Sequence, residues 1–461
     1  MTMKPMKPNL IVILIDDLRF DETSASGHPY LKTPHIDRIA REGAMFENAF
    51  HTTPLCSPNR ACIVTGQYAS RHGIIDNVGR DAMSHRLDNY HLALQKLGYE
   101  TAHIGKWHMG NDASPRPGYD HWVSFRGQGK IVDPVLWEDG GERKVDGYVT
   151  DLLSERAVQY VQRKRSKPFA LFLAHKAVHP DVQQLQDGTI DVKTMQGYVP
   201  AERHRGLYKG AIYPPRANVR PLEEVVRGKP AWKEVFELRK RPGSRALLDP
   251  LHVGDQEEIR QRAAMIASVD DGVGALLQAL DETRQAERTC IVFLGDNGYF
   301  FGEHGLGAER RFAYEEGIRT AFFVRYPERI AAGTRVRQMA ITPDIAPTMI
   351  ELAGGKPGKH VQGRSLVSLF KKRNPSWRKS FLVEYYNEAA WPWIVGMTYK
   401  AVRTDTHKLI HWVHKEGMDE LYDLAKDPYE MHNVIDKPAY RAVRRRLTSE
   451  LRKLLAEASG L

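Results

Sequence analysis

The run Cys56-Ser57-Pro58-Asn59-Arg60, followed by Ala61, Cys62, Ile63, Val64, Thr65 and Gly66, sets a thiol where a short helix should begin. Pro58 suits a first helical turn, where a missing N–H costs nothing, and Gly66 suits a helix end, so the pattern predicts a helix over 57–65. Cys56 then lies over the free N–H groups of that first turn, whose partial charges attract an anion. Arg60, one turn on, adds a bidentate donor matched to a tetrahedral oxyanion such as sulfate or phosphate. A buried cysteine beside a capped helix is the competing, purely structural reading.

Four further polar groups each follow an apolar run directly, and in open α/β sheets ligands bind just outside the carboxyl ends of the strands. Asp16-Asp17 follows 10–15, Gly105-Lys106-Trp107-His108 follows 99–104, His175-Lys176-Ala177-Val178-His179-Pro180 follows 169–174, and Gly295-Asp296-Asn297-Gly298 follows 290–294. Taken singly, these are solvated loop charges, a buried histidine or a tight Asn-Gly turn. Joined, Asp16, Asp17, Asp296 and Asn297 form an all-oxygen set of the kind calcium or magnesium prefers. Lys106 and His108, two apart, place a fixed cation and a titratable base on one side of a site.

These stretches resemble the type I sulfatases of the alkaline phosphatase superfamily. Cys-x-Pro-x-Arg with a downstream Thr65-Gly66-Gln67-Tyr68 and Arg71-His72-Gly73 is similar to the first signature of that family, and Gly-Lys-Trp-His to the second. The resemblance implies that Cys56 is oxidised to formylglycine by a maturation enzyme and serves, hydrated, as nucleophile. It further implies that Asp16, Asp17, Asp296 and Asn297 bind calcium together with the oxygen derived from Cys56. Lys106 is then expected to hold a sulfate oxygen, His108 to serve the formylglycine and His179 to protonate the leaving oxygen, with Arg60 also neutralising the sulfate. The family places a lysine four residues before a Tyr-Glu pair, whereas Tyr314-Glu315 here follows Arg310. Arginine binds sulfate bidentately but is a poor proton donor, which moves the acid role onto His179.

Glu303-His304-Gly305 and the run Glu420-Leu421-Tyr422-Asp423-Leu424 with Asp427-Pro428 resemble sulfatases acting on sugars. The expected reaction is hydrolysis of a sulfated saccharide, with His304, Trp391, Trp393, His407 and Lys408 as candidate sugar contacts. The rivals are an arylsulfatase, a phosphodiester or phosphonate monoester hydrolase using the same formylglycine, and a polyanion-binding pseudoenzyme.

The elements that must position these residues read as an α/β fold. Buried parallel strands are predicted at 10–15, 99–104, 169–174, 290–294 and 321–324. Helical patterns separate them: Thr33 before Pro34, with Ile36, Ile39 and Ala40 on one face and Gly43 at the end, and a longer helix over 255–280. The expected architecture is a large, mainly parallel sheet covered by helices on both faces over 1–372, with a smaller C-terminal α+β subdomain over 373–461. Residues 181–255 lack periodicity and read as substrate-side loops.

With 461 residues, a formal charge of +10 and a pI near 9.3, the chain is an ordinary soluble composition with a basic surface. No aromatic-interleaved or zinc-finger spacing is present, so nucleic acid is not expected as a partner. The basic helix predicted over 439–458 is read as a solvated face. Cys56, Cys62 and Cys290 have no disulfide or zinc spacing. The apolar run at 10–15 is too short for a membrane span or signal peptide, so no membrane partner is expected. The sequence as it stands reads as cytoplasmic, or as periplasmic or secreted if a signal peptide has been removed, and a homo-oligomer is left open.

Overall fold

The structure is a computed structural model that describes residues 7–233, 235, 237, 255–371, 376–390, 394 and 396–460. The strands of its main sheet are β1 (Asn9–Ile15), β2 (Ala44–Phe46), β3 (Glu100–Gly105), β4 (His121–Val123), β5 (Phe169–His175), β6 (Thr289–Gly295), β7 (Phe322–Arg325) and β8 (Thr334–Val336), in spatial order β8-β2-β7-β6-β1-β5-β3-β4. The β6-β1-β5-β3-β4 run is parallel throughout. The carboxyl ends of β6, β1, β5 and β3 therefore form one continuous edge, and the four polar stretches singled out in the sequence all leave from it.

β7 departs from expectation. It runs antiparallel to both β6 and β2, so the sheet is mixed. Its four residues are all buried. A short strand covered on both faces shows an unbroken apolar run whichever way it points, so the pattern carried no direction.

Alternation explains why the central strands look uniformly apolar. Leu10, Val12 and Leu14 face one core with Ala61, Ile63 and Val64, whereas Ile11, Ile13 and Ile15 face the other with Ile266, Val269 and Leu276. Each such fully buried side chain contributes about 1.5–3 kcal/mol. The helices that cover the sheet begin with α1 (Pro34–Arg41), whose first N–H groups are capped by the carboxylate of Asp270, at 3.0 Å from His35 N and 2.7 Å from Ile36 N. Next come α2 (Cys56–Thr65), α3 (Val149–Gln162) and α4 (Gln256–Glu282). Asp255 caps α4, accepting from Glu257 N at 2.8 Å. α4 is long and apolar enough to cross a membrane by composition, yet its apolar stripe is buried against the sheet.

The C-terminal part is an antiparallel four-stranded sheet of β9 (Ser380–Tyr385), β10 (Tyr399–Thr404), β11 (His407–Trp412) and β12 (Glu420–Asp423), covered by α5 (Arg441–Ser459). Its apolar face packs on Phe50, Leu55 and Tyr68, with the Phe50 and Phe381 rings 4.8 Å apart. The second sheet thus braces the segments on either side of α2. On α5, Leu447, Leu451 and Ala458 face inward while Arg441, Arg444, Arg445, Arg446, Arg452 and Lys453 are exposed.

Candidate active site

α2 starts one residue earlier than the proline predicts, with Cys56 itself as its first residue, and ends where Gly66 adopts φ +70°. All ten of its residues are buried, so its place is set by tertiary packing and not by an amphipathic face. The helix start is also less open to an anion than expected, because Ser57 N donates to Asn77 Oδ1 at 3.1 Å.

Around Cys56 the ligand atoms of Asp16, Asp17 and Asp296 all lie within 4.8 Å of one another and of the thiol. Asp17 N donates to Asp296 Oδ1 at 2.9 Å, and Asn297 Nδ2 to Asp17 Oδ1 at 2.7 Å, tying the ends of β1 and β6 together. Asp16 Oδ1, Asp17 Oδ2 and Asn297 Oδ1 are buried and make no hydrogen bond. Buried oxygens without hydrogen bonds are costly unless something completes them, and an all-oxygen set suits a hard divalent ion. Burial, followed by the neighbouring Asp16, pushes the Asp296 carboxyl up to about 7. Burial raises Asp17 as well; for Asp16, burial is outweighed by Lys106, His179 and Arg60, which hold it well below the usual carboxylate range. The Cys56 thiol is pushed far up by burial and by Asp16 and Asp296. An unmodified Cys56 therefore stays a neutral thiol and a poor nucleophile.

The cations sit around this cluster. Lys106 Nζ bonds Asp16 Oδ2 and Gln128 Oε1. It is delivered by Gly105, whose φ of +117° and approach to Ala174 O leave no room for a Cβ. Arg310 Nη2 lies 3.1 Å from Asp17 Oδ2, while its buried Nε has no partner. Arg60 is partly committed within the protein: its Nε is bound to Asp296 Oδ2 at 2.8 Å and its Nη1 to the Lys106 carbonyl, while its buried Nη2 has no hydrogen-bond partner and lies 3.9 Å from Asp16 Oδ1.

His108 takes φ +57° and sets Nε2 2.7 Å from Gln184 Oε1, with Nδ1 on the side of Ser57 Oγ. The Gln184 carbonyl oxygen fixes the proton on Nε2 and leaves Nδ1 as the base. His179 Nδ1 bonds the Pro180 carbonyl at 2.9 Å, and its Nε2 has no partner among the described residues. Burial, with Lys106 second, holds both imidazoles well below their ordinary range. His175, also buried, makes no side-chain hydrogen bond and falls to about 4 through burial.

Gln128, Gln184 and Asn77 were not singled out from the sequence. Single amides carry no spacing, and Gln184 comes from the irregular stretch after β5, where only its hydrogen bonds to His108 and Gln128 reveal it.

The expected sugar contacts fare differently. Lys408 is fully buried, with Nζ 2.7 Å from Glu430 and 2.8 Å from Glu315, and so forms part of an internal ion cluster and not a sugar-binding surface. His304 is likewise buried, hydrogen-bonded by Asn218, 3.4 Å from Glu316 and packed on Tyr314. Its neighbour Glu303 is ion-paired with Arg19 at 2.7 Å. Neither set of partners was legible beforehand, because an isolated polar residue in sequence does not show which partners the fold supplies. His407 opens β11 beside Thr406, Asp423 and Tyr440. Trp391 and Trp393 lie outside the described residues.

The family model described as Sulfatase matches residues 8–355. The chain belongs to the sulfatase family. This sulfatase, a sulfuric ester hydrolase, also matches over 302–457 the model for the C-terminal part of N-sulphoglucosamine sulphohydrolase. It is 30% identical to an N-acetylglucosamine-6-O-sulfatase of Bacteroides thetaiotaomicron, over 98% of this chain and 86% of that protein. An ulvan-active sulfatase of Formosa agariphila is 29% identical over 98% of this chain and 82% of its own length. A solved structure in complex with its substrate D-glucosamine-2-N,6-O-disulfate is 28% identical, with a TM-score of 0.83 over 98% of each chain. The alternation of strands and helices and the antiparallel C-terminal sheet are thus those of sulfatases.

Proposed function

We propose that this sulfatase removes O-sulfate from a sulfated carbohydrate, with Cys56 matured to formylglycine and calcium held by Asp16, Asp17, Asp296 and Asn297. The observation that carries the reading is the convergence of Cys56 with the carboxylates of Asp16, Asp17 and Asp296 in one buried cluster, joined by Asn297 through Asp17 and flanked by Lys106 and Arg310. The sugar class is supported by the amino-sugar and ulvan activities named for the relatives, and by the disulfated glucosamine bound in the related structure.

When bound, calcium supplies positive charge that offsets the buried carboxylates and polarises a sulfate oxygen. Hydrated formylglycine supplies two hydroxyls on one carbon, one to attack sulfur and one whose deprotonation lets sulfate go. Lys106, with one N–H left over from Asp16 and Gln128, donates to a sulfate oxygen, and Arg310 donates its free Nε to another. Their neutralisation of the equatorial oxygens is the largest expected term. His179 gives its Nε2 proton to the bridging oxygen as the S–O bond breaks and its electron pair leaves with the sugar oxygen. His179 is neutral in the ligand-free site, and the negative charge of the bound ester favours its imidazolium. His108 acts as base through Nδ1 at the start of α2.

The test is to co-express the chain with a formylglycine-generating maturation enzyme and assay nitrophenyl sulfate, an aryl phosphodiester, glucosamine and N-acetylglucosamine 6-sulfates, and a sulfated oligosaccharide. Mass spectrometry of the Cys56 peptide runs alongside. The expected result is formylglycine at position 56 and fastest turnover on a saccharide sulfate. Full activity with unmodified Cys56 rejects the nucleophile, and a phosphodiester hydrolysed faster than every sulfate rejects the substrate class.

A further inference from the structure

The turn after β5 holds a second cation that the mechanism above leaves unused. Lys176 is fully buried. The chain doubles back on it, His179 N donating to the Lys176 carbonyl at 3.0 Å. Its ammonium donates to Pro180 O at 3.2 Å, the same oxygen that accepts from His179 Nδ1 at 2.9 Å. The carboxylate it faces, Asp181, is 3.9 Å away and already accepts from Ile131 N at 3.1 Å.

A buried ammonium with one hydrogen bond and one distant counter-charge is destabilising relative to an apolar side chain of similar length. Burial, and Lys106 after it, pull Lys176 down to about 8. What the ammonium does provide is a second donor on the Pro180 carbonyl, the oxygen that orients His179.

We propose that Lys176 is a positioning residue for His179, its ammonium holding in place the Pro180 carbonyl that accepts from His179 Nδ1, so that the imidazole keeps its proton there and presents Nε2. The proposal deepens the reading above and rests on His179 being the proton donor. Lys176 itself transfers no proton. It matters most where His179 matters most, for a poor leaving group such as a sugar alkoxide, and compensates for an arginine at position 310 that cannot share the acid role.

The test is a double-mutant cycle in matured full-length enzyme, with Lys176→Met and His179→Ala singly and together, assayed on nitrophenyl sulfate and on a sugar sulfate. Lys176→Met is expected to lower kcat on the sugar sulfate, relative to nitrophenyl sulfate, by about tenfold with KM nearly constant. In the His179→Ala background it is expected to add almost nothing. Lys176→Arg, which keeps charge and donor, should recover most of the loss. Should Lys176→Met fail to fold, Lys176→Ala, which also removes the donor and adds no bulk to the turn, takes its place in the same cycle. Equal losses on both substrates, or a full further loss in the His179→Ala background, overturn the role of Lys176. A His179→Ala variant with no selective loss on the sugar sulfate instead overturns the assignment of His179, so the two failures are distinguishable.

Discussion

The carboxyl edge of the main sheet and the seam where the C-terminal sheet meets it both bury charged side chains, but they satisfy them differently. At the seam, Glu315 is paired with Arg403 and Lys408, Glu430 accepts from Lys408 and from Glu315 N, and Glu420 accepts from Tyr314 and Tyr422. At the sheet edge, Asp16, Asp17 and Asn297 each keep an oxygen that accepts no hydrogen bond, although Arg310 Nη2 lies 3.1 Å from Asp17 Oδ2 and Arg60 Nη2 3.9 Å from Asp16 Oδ1. A closed cluster holds two layers together, whereas an open one is completed only by something that is not protein. Burial of charge alone therefore does not mark a functional site, and neither does a single unpartnered atom such as Glu316 Oε2 or Glu309 Oε2; carboxylates with unpartnered oxygens gathered around one candidate nucleophile do.

The comparison breaks if the two clusters respond alike to substitution. Cys56→Ala should lower kcat/KM by about 10⁴-fold or more with an unchanged melting temperature, since it removes the nucleophile and little packing. Lys408→Met should do the reverse. Leaving Glu430 without its ammonium and Glu315 with Arg403 alone should cost about 3–5 kcal/mol in chemical denaturation, while kcat per folded molecule stays within about twofold. Substantial loss of turnover in folded Lys408→Met would put the seam in the site after all.

Smaller effects sharpen the contrast. Asp17→Asn should lower kcat/KM by about 10²–10³-fold. Added calcium should raise the melting temperature of the unsubstituted protein and do so much less for this variant, as measured by scanning calorimetry with and without chelator. Arg310→Ala should slow nitrophenyl sulfate and sugar sulfate to a similar degree, by about 10–100-fold, because charge neutralisation is needed whatever the leaving group. A loss confined to the sugar sulfate would make Arg310 part of leaving-group departure. Arg445→Gln, on the exposed face of α5, should change stability by less than about 0.5 kcal/mol.

Much of the site was legible because its residues are anchored to strand ends. Asp16-Asp17, Lys106-Trp107-His108, His179 and Asp296-Asn297 each follow a recognisable apolar run, and parallel pairing carries them all to one edge. The reversed direction of β7 was not legible, nor were Gln128 and Gln184, because neither strand direction nor a single amide leaves a period in the chain.

The amino-acid sequence by itself determined the chemical inventory and its local supports: the thiol at a helix start, the carboxylates and cations after strands, and the family these spell out. The tertiary structure alone decided how those groups are used. It tied Arg60 to Asp296 through Nε and left its Nη2 unpartnered, enclosed Lys408 and His304 in internal pairs, and set Lys176 beside His179 on one carbonyl. The reason is that a side chain's identity is local, while its partners, its burial and the charge around it come from segments as far apart in the chain as β1 and β6.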